Sequence, residues 1–159
     1  MRPQQPGRDA RRMTTATDAT TRNLETTGQL YARFGQGDVA GILDLLSDDV
    51  AWEVWADNHA QRPGGPDYLR PRRGRVGVGE FFASVAEQTV LDFQVEDVVA
   101  GPTHAVAKVT IEMVTKTGGR VRDEELHLLT FDEAGQVVAF RHYVDTAKHR
   151  AAWAGEDTR

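Results

Sequence analysis

The chain has 159 residues, 40% of them hydrophobic and 27% charged, with a formal net charge of -5, values that suit one soluble globular domain with its own core. The acidic balance argues against nucleic acid as the main partner, because phosphate binding needs a basic surface, and no window approaches the length of a membrane-spanning helix. With no cysteine, disulfides, thiolate catalysis and cysteine-ligated metals are excluded; a cytoplasmic location is the simpler expectation.

Residues 1–21 are polar, rich in Arg and Thr, and lack an apolar run. They read as a disordered N-terminal tail without a secretory signal, with Met13 as a second candidate start. From Asn23 the pattern changes. Leu24, Tyr31 and Phe34 fall at helical spacing and predict a first helix ending near Gly35 and Gly37. Asp38 is the expected N-cap of a short second helix, which carries Val39, Ile42, Leu43, Leu45 and Leu46 and ends at Asp48-Asp49. Val50–Ala56 (VAWEVWA) is aromatic and β-branched, a strand signal.

Residues 57–76 hold three prolines, three glycines and five arginines. A loop of this length is either a lid over a pocket or a solvated insertion. Glu80–Thr89 predicts a third helix packing Phe81, Phe82 and Val85. Four strand candidates follow: Leu91–Ala100, His104–Thr117, Val121–Asp132 and Gln136–Val144. Gly118-Gly119 and Glu133-Ala134-Gly135 are the turns between them. Asp145 or Thr146 caps a final short helix through Trp153. The order α-α-β-α-β-β-β-β-α indicates an α+β domain with a largely antiparallel, strongly curved sheet.

That order, with the wording LYARFGQGDVAGILDLLSDDVAWEV and the closing turn Glu133–Val137, resembles the ketosteroid isomerase and SnoaL-like polyketide cyclase superfamily. The resemblance covers about residues 23–153. It implies a nuclear transport factor 2-like (cystatin-like) α+β roll, in which a cone-shaped curved sheet wraps around helices. It divides the chain into a SnoaL-like domain at 22–154 and a C-terminal tail at 155–159. It further implies one deep apolar pocket for a hydrophobic small molecule, and a homodimer through the outer sheet face. The fold does not fix the activity, since the superfamily holds isomerases, cyclases, epoxide hydrolases, dehydratases and members that only bind.

Carried over position by position, the ketosteroid isomerase base falls at Val54, so that base is absent. Its tyrosine falls at Leu30, beside Tyr31, and its protonated aspartate at His127. The acid of SnoaL-like cyclases falls at His142. Alternation points to the same two histidines, because residues two apart in a strand share a face. His127, Leu129 and Phe131 share one face; Val138, Phe140, His142 and Val144 share another. Each is an apolar stripe interrupted by one imidazole. Imidazole both takes and gives a proton near neutrality. A pair of them in an apolar cavity suits proton abstraction beside a carbonyl, with His142 as base and His127 as the donor that stabilises an enolate. Tyr31, Trp52, Val54, Phe82, Leu129, Phe140 and Val144 are the expected ligand-lining residues.

The register around Val121–Glu125 leaves two options. A two-residue Gly118-Gly119 hairpin sets His127 opposite Thr110 and Glu125 opposite Glu112. A bulge in Val121–Glu125 reverses the faces and turns His127 inward, as the resemblance requires. Glu112, Lys108 and Glu125 are expected on the exposed sheet face, and Glu53 away from the cavity. Asp145 reads as a helix cap, Arg141 as its same-face neighbour, and Asp57 and His59 as residues near a pocket mouth. His59, His104, His127, His142 and His149 show no metal-site spacing. No phosphate loop or nucleophile elbow appears, so no cofactor and no metal is expected. The reading is a hydrophobic-molecule binder acting as an isomerase or cyclase. Two alternatives stay open: a non-catalytic binding or dimerisation module, and epoxide-hydrolase-like activation of water.

Overall fold

The computed structural model describes residues 6–159. Helix α1 runs from Pro6 to Gln36 and ends where Gly37 turns left-handed at φ 70°. It therefore crosses most of the segment that composition assigns to a tail; residues 1–5 of that segment lie outside the described residues. An apolar stripe marks where a helix packs, not where it starts: residues 8–21 contain no glycine or proline, so nothing in them breaks the helix. Asp38 caps α2, Val39–Asp44, by accepting from the Gly41 amide. Strand β1, Leu46–Trp52, begins earlier than the β-branched run suggests. Asp48 and Asp49 are its exposed residues, at a register irregularity between Leu46 and Ala51, so they lie within the strand and do not stop a helix.

The long connection is ordered by two 3-10 turns, His59–Gln61 and Asp67–Leu69, and the two-residue strand β2, Arg72–Arg73. Tyr68 and Leu69 are buried. Arg150 fastens the connection from outside by donating to the carbonyls of His59, Arg62 and Pro63 at 3.1–3.3 Å. Helix α3 spans Gly74–Ala86 and thus includes Val76–Gly79, which glycine content alone disfavours. Burial of Val78, Phe81 and Phe82 overrides that propensity, and Gly77 packs so closely that a Cβ there would stand 3.2 Å from Arg72.

Strands β3 (Thr89–Ala100), β4 (His104–Val114), β5 (Arg120–Phe131) and β6 (Val137–Tyr143) complete one six-stranded sheet in the order β2-β1-β6-β5-β4-β3. Only the β1–β6 pair is parallel. Two register shifts in β3 bend the sheet around α1 and α3, giving the expected curved α+β roll. Between β4 and β5 the ladder is continuous, with Ala107 opposite His127 and Val109 opposite Glu125. There is no bulge in Val121–Glu125. Val114 pairs with Arg120, so a five-residue loop, 115–119, closes the hairpin. The longer loop slips the register by an odd number of residues, which turns His127 inward by a different route. A shift between Thr130 and Phe131 likewise makes Val137, not Val138, the buried residue at the start of β6.

Asp145 caps α4, Thr146–Trp153, by accepting from the amides of Ala147 and Lys148. The C-terminal segment is no free tail. The Arg120 amide donates to Glu156 and the Thr158 amide to Arg120, at 2.9 and 2.8 Å.

Candidate functional site

Burial along β5 follows a strict period of two: Val121, Asp123, Glu125, His127, Leu129 and Phe131 all face inward. Three polar residues in this stripe must find partners or carry the cost of desolvation. They find them in one chain. The Tyr31 hydroxyl of α1 meets His127 Nδ1 at 2.8 Å. His127 Nε2 meets Glu125 Oε2 at 2.9 Å. Glu125 Oε1 and Asp123 Oδ2 each lie 3.2 Å from His149 Nε2, and His149 Nδ1 meets the Tyr68 hydroxyl at 3.0 Å. The Asp123 carboxylate also accepts the Asp145 amide at 2.7 Å, tying the cap of α4 to the same network.

Burial alone would push Glu125 up, but hydrogen bonds from His127 and His149 outweigh it and hold the carboxyl well below its usual range. Burial would likewise lower His149, yet its bonds to Asp123 and Glu125 raise it to about 9. His149 is therefore an imidazolium at neutral pH. His127 goes the other way: burial and the neighbouring His142 lower it, against the pull of Glu125. Burial, reinforced by the Glu125 charge, pushes the Tyr31 phenol well above its usual range.

A second dyad stands beside this chain. Glu53 follows β1, is fully buried, and holds φ 57°, a left-handed backbone costly for a side chain with a Cβ. Its Oε1 lies 2.6 Å from His142 Nδ1 and accepts the His142 main-chain amide at 2.7 Å. Its Oε2 is buried without a hydrogen-bond partner. The backbone is fixed there because the Glu53 amide donates to Phe140 and its carbonyl accepts from Gln61. The His127 and His142 rings stand 4.4 Å apart, nearly perpendicular.

Both rings line a cavity of ≈ 70 Å³. Its other walls are apolar and mostly aromatic: Phe34 from α1, Trp52 from β1, Phe81 and Phe82 from α3, Phe93 from β3, and Phe140 from β6. Trp52 and Phe140 stack at 4.1 Å. The covering connection contributes Tyr68 and Leu69, as a lid would.

Of the residues expected from sequence, Tyr31, Trp52, Phe82, His127, Phe140 and His142 meet at this cavity. Leu129 is fully buried and Val144 packs at the edge of the core, but neither lines it. Val54 also lies outside the lining; its carbonyl accepts from Arg141. Arg141 stacks over Trp55 on the opposite face, and His59 and Asp57 do not reach the cavity wall. Lys108 and Glu112 are on the outer face as expected, paired with Glu96 and Glu124, and with Arg120. Two expectations are overturned: Glu125 and Glu53 both point inward. Glu125 shares the parity of His127, so alternation would have found it once the register was known. His149 and Asp123 gave no signal of their own.

Glu125, His127 and His142 each place one donor atom within 4.8 Å of the others, as do Asp123, Glu125 and His149. Hydrogen bonds account for the second grouping and for the Glu125–His127 pair of the first, which His142 joins through the contact of its ring with that of His127.

A model of the SnoaL-like domain matches residues 28–140, most of the chain. No curated protein matches the sequence significantly. Among solved structures, a nuclear transport factor 2-like protein from Burkholderia xenovorans is 20% identical, with TM-score 0.68 over 84% of this chain and 96% of that one. A Mycobacterium tuberculosis protein in complex with estradiol-17β-hemisuccinate is 18% identical, with TM-score 0.62 over 80% and 96%. The epoxide hydrolase/cyclase-like enzyme SalBIII, of pyran ring formation in the polyether salinomycin, is 18% identical, with TM-score 0.61 over 80% and 94%. With the family match spanning helix α1 through strand β6, the chain belongs to the SnoaL-like domain family.

Proposed function

We propose that the chain binds a flat, apolar small molecule in the aromatic cavity and that the Glu53–His142 dyad removes a proton from it, as in an isomerase or cyclase. One observation carries this reading: a carboxyl group wholly withdrawn from water, on strained backbone, is spent on orienting a single cavity-lining imidazole. Strain of this kind persists only where the surroundings enforce it, and it clusters at active sites. With Nδ1–H given to Glu53, the neutral ring turns its Nε2 lone pair to the remaining space, and the carboxylate steadies the imidazolium that forms. The steroid-derived ligand of the mycobacterial neighbour supports the ligand class.

Base-promoted ring opening of nitrobenzisoxazole tests the dyad without the natural substrate, because the probe needs only a base in an apolar cavity. The wild type is expected to exceed His142→Ala by ~10²–10⁴-fold. Equal rates would remove the dyad from the mechanism.

The homodimer belongs to the same proposal. The exposed Leu91, Val95, Val99 and Leu126 lie on β3 and β5 of one sheet, and such apolar patches mark interfaces. Val99→Glu is expected to shift the light-scattering mass from dimer to monomer; a wild type that is monomeric at high concentration overturns the assignment.

A further inference from the structure

Hydrogen-bond bookkeeping at the histidine end of the cavity narrows the ligand further, and the step rests on the proton-transfer reading above. His127 has no free nitrogen. Its Nε2–H donates to the Glu125 carboxylate and its Nδ1 accepts from the Tyr31 hydroxyl. Tyr31 has one proton and spends it there, so only oxygen lone pairs remain on its cavity side. His142 Nδ1 faces Glu53 Oε1, the oxygen that already accepts a main-chain N–H. That oxygen is an acceptor, so the proton between them belongs to His142, and Nε2 is again a lone pair. Three inward carboxyl groups surround this end: Asp123 and Glu125 share the His149 imidazolium, and Glu53 pairs with His142. The end therefore offers acceptors and negative charge. An oxyanion that arrives already charged finds no donor here until His142 has taken a proton, and His127 is not the donor expected from the sequence. Unspent donors sit on other elements: the indole N–H of Trp52 on β1, buried without a partner, and the Tyr68 hydroxyl on the covering connection, whose oxygen accepts from His149.

We infer that the ligand is a neutral aromatic compound carrying a hydroxyl group, a phenol, whose O–H donates to His142 Nε2 and supplies the proton the dyad removes. The O–H bond breaks, its electron pair stays on the ligand oxygen, and the new N–H forms at Nε2 while the Nδ1 proton stays on His142, donated to Glu53 Oε1. The product is a phenolate paired with the imidazolium.

Calorimetric titration of β-naphthol, its methyl ether and β-naphthoate tests this. The naphthol is expected to bind about tenfold more tightly than the ether, the worth of one good hydrogen bond, and the naphthoate to bind most weakly. His142→Ala, which removes the accepting Nε2, is expected to abolish the preference for the hydroxyl. The ultraviolet band of bound naphthol is expected to move toward that of naphtholate in the wild type and not in His142→Ala. An ether that binds as well as the naphthol, or a naphthoate that binds best, overturns the hydroxyl assignment while ring opening of nitrobenzisoxazole can still succeed. If none of the three binds, the apolar-ligand reading falls with it.

Discussion

Glu125→Ala is expected to unfold with about 3–5 kcal/mol less stability than the wild type near pH 6.5, the cost of breaking a buried ion pair from one side. Glu125 serves two partners at once. Without it, the His127 Nε2–H loses its acceptor at 2.9 Å and the His149 imidazolium keeps only one carboxylate partner, Asp123. Both rings are almost fully buried, so water cannot take over. Glu125→Gln keeps the shape and one acceptor and is expected to lose less. Urea unfolding measures both; a loss below about 1 kcal/mol for the alanine variant would show that the network contributes little to stability.

The same network gives stability a maximum in pH, and the signs decide where. His149 is raised to about 9 in the fold, so its contribution is complete below its ordinary value near 6.5 and is lost as pH rises through 9, about 3 kcal/mol in all. Glu125 is depressed, so its contribution is present above the ordinary carboxylate range and is lost as pH falls below it. His127 is also depressed, which makes stability fall on the acid side of 6.5. The expected optimum lies near pH 6.5. His149→Gln should flatten the alkaline limb, and an unchanged limb would assign that loss to other groups.

The fold was legible because its signals are local. Asp38 and Asp145 cap the helices that their positions announce, and Phe81, Phe82 and Phe140 pack where periodicity places them. The inward turn of His127 and His142 was legible from stripes interrupted by one polar residue. What escaped was non-local. Glu125 and Glu53 look like solvated charges in sequence, because the partners that make their burial tolerable, His149 and His142, are 24 and 89 residues away. The register of β5 hung on whether two or five residues close its hairpin, and glycines fit either loop. Helix α3 began early because burial of Val78 outweighs the cost of glycine, a balance visible only in three dimensions.

Glu53 separates orientation from charge in the dyad, and its two variants are expected to differ. In Glu53→Gln the amide oxygen can take the place of Oε1, since that site accepts both the main-chain amide and Nδ1–H of His142 and a side-chain NH₂ there would clash with two donors. The tautomer is then preserved, and only the charge that steadies the imidazolium is lost. Ring opening of nitrobenzisoxazole is expected to slow by roughly 10–10²-fold in kcat with KM little changed. Glu53→Ala removes orientation as well. The imidazole loses its Nδ1 partner and can rotate, so the loss is expected to approach that of His142→Ala, ~10²–10⁴-fold, and the two substitutions combined should cost no more than either alone. Stability is the control. The alanine variant loses a buried, strained side chain, and its unfolding midpoint need not follow its rate. If neither Glu53→Gln nor Glu53→Ala slows the reaction, Glu53 acts only as packing, and His142 must find its orientation elsewhere.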